Sequence, residues 1–178
     1  MFPMIQKPEL DKCSYEAIKK LRKQVSAKFL ASGSFAHVCT IPKKGSVIKL
    51  GVIRDNNTYL EFVRGLSKAK KHNPYFPKIE KVELYGTGYN AIFAVYMERL
   101  QETAATHRGR QAANRIHDAV IEGARADVAL FSASVVLRKL VVAAESTAFL
   151  DLHAWNIMGR GKQFVITDPV ANFMGCWD

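Results

Sequence analysis

Phe149-Leu150-Asp151-Leu152-His153-Ala154-Trp155-Asn156-Ile157-Met158, followed by Phe164-Val165-Ile166-Thr167-Asp168-Pro169, is the most informative part of the chain. Two carboxylates and an amide, Asp151, Asn156 and Asp168, alternate with apolar residues that anchor the backbone on either side. Singly they are ordinary, because Asp and Asn cap turns and end strands everywhere. Together they make a set of hard oxygen donors. Such a set suits magnesium, which takes one or two side chains and completes its shell with phosphates and waters.

Working outward, Gln163–Thr167 reads as a last strand and Asp151–Gly161 as a polar loop. Upstream, Ile116, Val120, Ala124 and Val128 recur at steps of four, and Phe131, Val135, Leu140 and Ala144 continue an apolar stripe, which predicts helix. Before Glu98 the pattern is different. Ile79–Leu84 and Ala91–Met97 predict strands joined through Tyr85-Gly86-Thr87-Gly88-Tyr89-Asn90, and Asn57 is placed to cap a helix through Leu60, Phe62, Val63 and Leu66. Phe29–Val38 and Ser46–Val52 predict a hairpin split by Ile41-Pro42-Lys43-Lys44-Gly45, after an amphipathic basic helix over 14–28 with Tyr15, Ile18 and Leu21 on one side. Strands first and helices second predict an α+β arrangement of two lobes: an antiparallel-sheet lobe over about residues 1–97 and a reduced helical lobe over about 98–178, in one domain spanning 1–178.

The first lobe has its own candidates. Leu30-Ala31-Ser32-Gly33-Ser34-Phe35-Ala36-His37-Val38 is a strand-turn-strand element of small residues with an aromatic at its tip, whose backbone amides can approach phosphate oxygens. An ordinary hairpin turn has the same composition. Lys49 stands in Val47-Ile48-Lys49-Leu50, where a lysine between apolar strand residues needs an anionic partner if its face is buried, or snorkels if it is not. Glu61, one helix later, is either that partner or a solvent-facing glutamate.

In this order the residues resemble the eukaryotic-type protein kinase set of phosphate loop, strand lysine, helix glutamate, catalytic loop and metal aspartate. Ala31, Gly33 and Ala36 align with the three loop glycines. A narrower resemblance is carried by the 149–158 segment, by Ile166-Thr167-Asp168-Pro169-Val170, by Ser32-Gly33 with Phe35, and by Val47–Gly51. It is to the early serine/threonine protein kinases of lytic bacteriophages of the autographivirus type. The resemblance implies a minimal kinase-like fold with ATP between the lobes, bordered by Ser32, Gly33, Ser34, Phe35 and Val38. Lys49 would lie on the α/β-phosphates with Glu61 orienting it, Asn156 and Asp168 would hold magnesium, Asp151 would take the proton of the acceptor hydroxyl, and His153 would contact the γ-phosphate. It also implies a kinase part alone. The acceptors it implies are host proteins, RNA polymerase and ribonucleases among them, met in the host cytoplasm.

Departures from larger kinases are visible as well. Phe149 and Leu150 stand where HRD has His and Arg, and Pro169-Val170 where DFG has Phe-Gly, so control by a phosphorylated activation loop is not expected.

Composition sets the remaining bounds. The chain has 178 residues, 48% hydrophobic, with no apolar leader and no uninterrupted membrane-length segment, since Arg138 and Lys139 break the longest one. Cys13, Cys39 and Cys176 are far apart and fit neither a disulfide framework nor a zinc site. Net charge is +10, and residues 1–81 hold 17 basic against 6 acidic side chains, so the excess lies in the first half. That field draws polyanions without naming one. Three rivals follow: Asp151-x-His153-x-x-Asn156 is also the pattern of aminoglycoside and choline kinases, a pseudokinase would block a host protein by contact, and the basic half could bind nucleic acid directly, the least favoured of the three.

Overall fold

Beyond its first residue Ser46–Val52 (β3) is apolar on both faces, with only Lys49 interrupting it, and the backbone accordingly makes it the centre of a sheet. The computed structural model describes residues 12–32, 36–53, 57–86, 91–104, 106–123, 126–145 and 147–172. Two compact units emerge, Met1–Asp55 with Glu80–Arg99 and Asn56–Ile79 with Leu100–Asp178. The class is α+β, with the antiparallel sheet first and the helices mainly second.

In the first unit, β1 (Lys28–Ser32), β2 (Ala36–Thr40), β3, β4 (Ile79–Tyr85) and β5 (Ile92–Glu98) form a five-stranded sheet ordered β1-β2-β3-β5-β4. β1 is exposed throughout, as a short, polar-flanked edge strand is. The predicted turn at 41–45 joins β2 to β3, and Gly45 supplies its positive φ of 81°. Helix α1 (Lys12–Gln24) lays Ile18 and Leu21 against Cys39, Ile48, Leu50, Val52, Ile92 and Ala94. Burying those two side chains contributes about 1.5–3 kcal/mol each. Register then fixes what lies opposite: Val38 pairs with Lys49, and Lys49 with Val95, so these three share the face that α1 does not cover.

In the second unit, α2 (Thr58–Lys68) starts where the sequence predicts, with Asn57 Oδ1 accepting from Leu60 N at 2.9 Å. The sequence places this helix in the first lobe; by its contacts it belongs to the second unit. Phe62 packs edge-on against Phe76 at 5.2 Å, and Asn172 accepts from Thr58 N at 3.3 Å while donating to Thr58 Oγ1 at 3.2 Å. Arg160 holds the following loop through the Pro74 and Phe76 carbonyls at 3.0 and 2.9 Å.

The predicted helical stripe is broken in two. α3 (His107–His117) runs into a π-helical turn, Asp118–Glu122, that ends at Gly123 (φ 71°), and α4 (Val128–Ala143) begins anew from Asp127, whose Oδ1 accepts from Leu130 N at 2.8 Å. The new cap resets the helical phase. α4 buries Leu130, Ala133, Ser134 and Leu137 and leaves Phe131, part of the expected stripe, exposed, because a helix apolar nearly all round does not announce its buried side by periodicity. α3 needs Gly109, where a Cβ would fall on the Thr103 carbonyl. The remainder is short strands: β6 (Gln101–Glu102), β8 (Ile157–Arg160) and β9 (Gln163–Ile166) in one sheet, and β7 (Ala148–Leu150) with β10 (Val170–Asn172) in another. Part of the expected 151–161 loop is therefore strand β8. Among the described residues, no helix is long and apolar enough to cross a membrane.

Candidate functional site

Two antiparallel ladders bring the polar stretch together. Leu150 pairs with Val170 across β7 and β10, and Ile157 pairs with Ile166 across β8 and β9, so the loops 151–156 and 167–169 are fastened side by side at both ends. Asp151 N donates to the Pro169 carbonyl at 2.8 Å; Thr167 donates to the Asn156 carbonyl from its N–H at 2.8 Å and from its hydroxyl at 3.0 Å. Beneath them Leu152, Ile157, Val165, Ile166 and Val170 are buried, which keeps the two loops from parting.

Within the first loop the side chains are cross-tied. A 3₁₀ turn, Ala154–Asn156, follows from Asn156 N donating to the His153 carbonyl at 2.9 Å. His153 Nδ1 accepts from Trp155 N at 3.2 Å, so a neutral ring carries its proton on Nε2, which lies 3.3 Å from Asp151 Oδ1. Asn156 Nδ2 donates to the Asp151 carbonyl at 2.8 Å and stands 3.2 Å from His153 Nε2. With its NH₂ turned inward, the amide has Oδ1 as its ligating atom. Asp151, Asn156 and Asp168 are each half-buried, whereas His153 and Trp155 are exposed.

Asp168 also reaches a residue that sequence reasoning missed. Tyr59, on α2, is buried, and its hydroxyl is held well above the ordinary phenol range, first by desolvation and then by the negative charge of Asp168. Its spacing one turn before Phe62 and Val63 reads only as core, so nothing in the sequence marks it. The donors present, a carboxylate at 168 and an amide oxygen at 156 with a second carboxylate at 151, fit a hard dication in type and number.

The other predicted residues are distributed as follows. Lys49 is half-buried on β3, the third strand, with Val38 and Val95 as its cross-strand neighbours. Ser32 ends β1 and is exposed; Gly33, Ser34 and Phe35 lie outside the described residues. Glu61 lies in the first turn of α2 with its side chain 69% exposed and a carboxylate oxygen 3.7 Å from Arg64. The structure thus brings Asp151, His153, Asn156 and Asp168 together in the second unit and puts Lys49 and Val38 on one sheet face of the first.

Two further features hold none of the predicted residues. A groove of about 310 Å³ on the first unit is lined by Ala17, Lys20, Leu21, Gln24, Tyr85 and Ile92, the α1 side of the sheet. His117, Asp118 and Glu122, at the π-helical turn, bring ligand atoms within 4.8 Å of one another, two of the three residues being exposed.

No family model matches the sequence, and no curated protein matches it. Among solved structures, the chain is similar to the MAP kinase LmaMPK10 from Leishmania major, at a TM-score of 0.43 and 16% identity, over 89% of this chain and 50% of that one. It is also similar to Rad53 in complex with AMP-PNP, at a TM-score of 0.44 and 18% identity, over 83% of this chain and 38% of that one. The chain thus spans half or less of the length of each of these two structures.

Proposed function

We propose that this chain is an ATP-dependent phosphotransferase that modifies serine or threonine hydroxyls of proteins. The observation that carries the reading is the cross-tied loop: Asp151 joined to Asn156 at 2.8 Å and to His153 at 3.3 Å, and fastened by two ladders beside Asp168. A reaction with a loose phosphoryl transition state asks for positioned charge rather than covalent help, and this constellation supplies fixed oxygens and one fixed imidazole.

In this reading Asp151 accepts the proton of the incoming hydroxyl. His153 donates to Asp151 Oδ1, so it orients the carboxylate and leaves the second oxygen for the acceptor; this is a positioning part, in place of the γ-phosphate contact that the resemblance implies. Asn156 Oδ1 and Asp168 hold magnesium, which when bound neutralises charge on the phosphates. Lys49, with Val38 and Val95 as its cross-strand partners, does the same for the α/β-phosphates. The acceptors proposed, proteins of a phage-infected bacterium including its transcription and RNA-processing machinery, come from the family resemblance.

The test is transfer of labelled γ-phosphate from ATP to proteins of a bacterial lysate. Lys49→Ala, Asp151→Asn and Asp168→Asn are each expected to reduce it by about 1,000-fold or more. Unreduced transfer by all three variants would overturn the assignment. Labelling of aminoglycosides or choline with no labelling of protein would move it to the small-molecule class.

A further inference from the structure

Trp155 stands inside the network and takes no side-chain part in it. His153, two residues before it, and Asn156, next after it, turn their side chains to Asp151, while Trp155 is 66% exposed. It is the most exposed of the aromatic side chains among the described residues, Phe131 on α4 following at 64%. Tryptophan is a residue that folding ordinarily covers. Here its backbone is held, since Trp155 N donates to His153 Nδ1 and the 3₁₀ turn closes on the next residue, so the ring stands on a fixed base. A second exposed aromatic, Phe149 at 40%, precedes Asp151 on β7.

Resting on the phosphotransfer reading, we propose that Trp155 is the acceptor-docking residue and selects polypeptides carrying a large apolar side chain close to the modified hydroxyl. Its open placement favours an extended polypeptide over a small acceptor. Small ligands are recognised in pockets that bury most of their surface, whereas Trp155 offers an open face on a turn, enough to cover one side chain of a chain laid across it. Trp155 is four residues from Asp151, at most about 14 Å between Cα atoms, so the apolar residue lies within about four positions of the acceptor hydroxyl in an extended peptide.

The experiment compares two synthetic peptides, each with one serine: one with leucine or phenylalanine at each flanking position in turn, the other with alanine throughout. The wild type is expected to favour an apolar peptide by about tenfold or more in kcat/KM. Trp155→Ala removes that preference while the KM for ATP and the rate on the alanine peptide stay unchanged, and Trp155→Phe restores most of it. Phe131→Ala, of matched exposure on α4, changes nothing. Independently of turnover, a Trp177→Phe background leaves Trp155 as the sole tryptophan, and its emission shifts to the blue on adding the apolar peptide alone. A preference that survives Trp155→Ala overturns the proposal, and so does an equal loss on both peptides, which would mark a residue that only shapes the loop. If the wild type labels no peptide and no lysate protein, the phosphotransfer reading itself falls, a result distinct from labelling without preference.

Discussion

Lys49 and Asp151 are held in place by opposite means. Lys49 belongs to a seven-residue strand paired along its whole length with β5 and over residues 47–51 with β2, so its position is an average over many ladder bonds. Asp151 follows a three-residue strand and depends on a handful of individual bonds: one backbone bond to Pro169, one from Asn156 Nδ2 and one contact with His153. A site residue on a sheet is insulated from single substitutions nearby. One on a cross-tied loop is not.

Exchanging stability loss for activity loss should expose that contrast most strongly. Val95→Ala opens space beside Lys49 at a fully buried position and is expected to lower stability by about 2 kcal/mol with little change in turnover of the folded protein, because the register remains. Asn156→Ala is the reverse: about 1–2 kcal/mol of stability, for one lost hydrogen bond, and about a 100-fold or greater loss of phosphotransfer as Asp151 moves and a proposed magnesium ligand is removed. Asn156→Asp sharpens the test, since it turns a carboxylate oxygen toward the Asp151 carbonyl in place of the donor. Without metal it should be less stable than Asn156→Ala, and magnesium should narrow the gap by engaging the new hard ligand. Denaturant titrations with and without magnesium, alongside the γ-phosphate assay, measure both. Equal effects at Val95 and Asn156 would remove the distinction between sheet-held and loop-held residues.

The same division governs what the sequence discloses. Asn57 as a helix cap, Gly45 as a turn and the apolar run around Lys49 are local signals, and each has its predicted place in the structure. The strands β7 and β10 have three residues apiece, too few for an alternating pattern, so the ladder that sets Asp151 beside Pro169 was not legible. Nor was the break between α3 and α4, because steps of four continue through it while Gly123 and Asp127 quietly end one helix and start another. Tyr59 was hidden for a third reason: its link to Asp168 is long-range electrostatics between residues more than one hundred positions apart.

A smaller effect tests whether anchoring by single bonds also holds the helices of the second unit. Asp127 caps α4 through Leu130 N and accepts from the Tyr75 hydroxyl at 2.6 Å. The Tyr75 bond chiefly, and the Leu130 amide next, hold this carboxyl below its usual range, while desolvation and the same partnership push Tyr75 up to about 12. A carboxyl with a lowered folded pKa stabilises above its unfolded value, near 3.9, and that contribution is lost as pH falls through the folded value. Asp127→Ala should therefore cost about 1 kcal/mol at pH 7. The difference from wild type should shrink as chemical denaturation is repeated from pH 5 down to pH 2.5; a constant difference would show that the charge contributes nothing.

The least effect is expected in the first unit, at His37 on the sheet. Its ring meets Tyr15 and Phe29 edge-on at 5.8 and 5.6 Å, and among the described residues its buried Nδ1 has no hydrogen-bond partner. Desolvation first, and the charge of Arg22 second, hold its pKa below 6.5. For a histidine the sign is the reverse of the carboxylate case. The unfolded chain binds the proton more readily, so stability is undiminished above pH 6.5, falls as pH drops toward the folded value and is level again below it. The loss stays under about 1 kcal/mol because the residue is only partly buried and water screens Arg22. His37→Phe keeps both ring contacts and removes the proton, so its stability relative to wild type should rise between pH 7.5 and pH 5. If the two proteins keep the same difference across that range, the proton of His37 contributes nothing to the stability of the sheet.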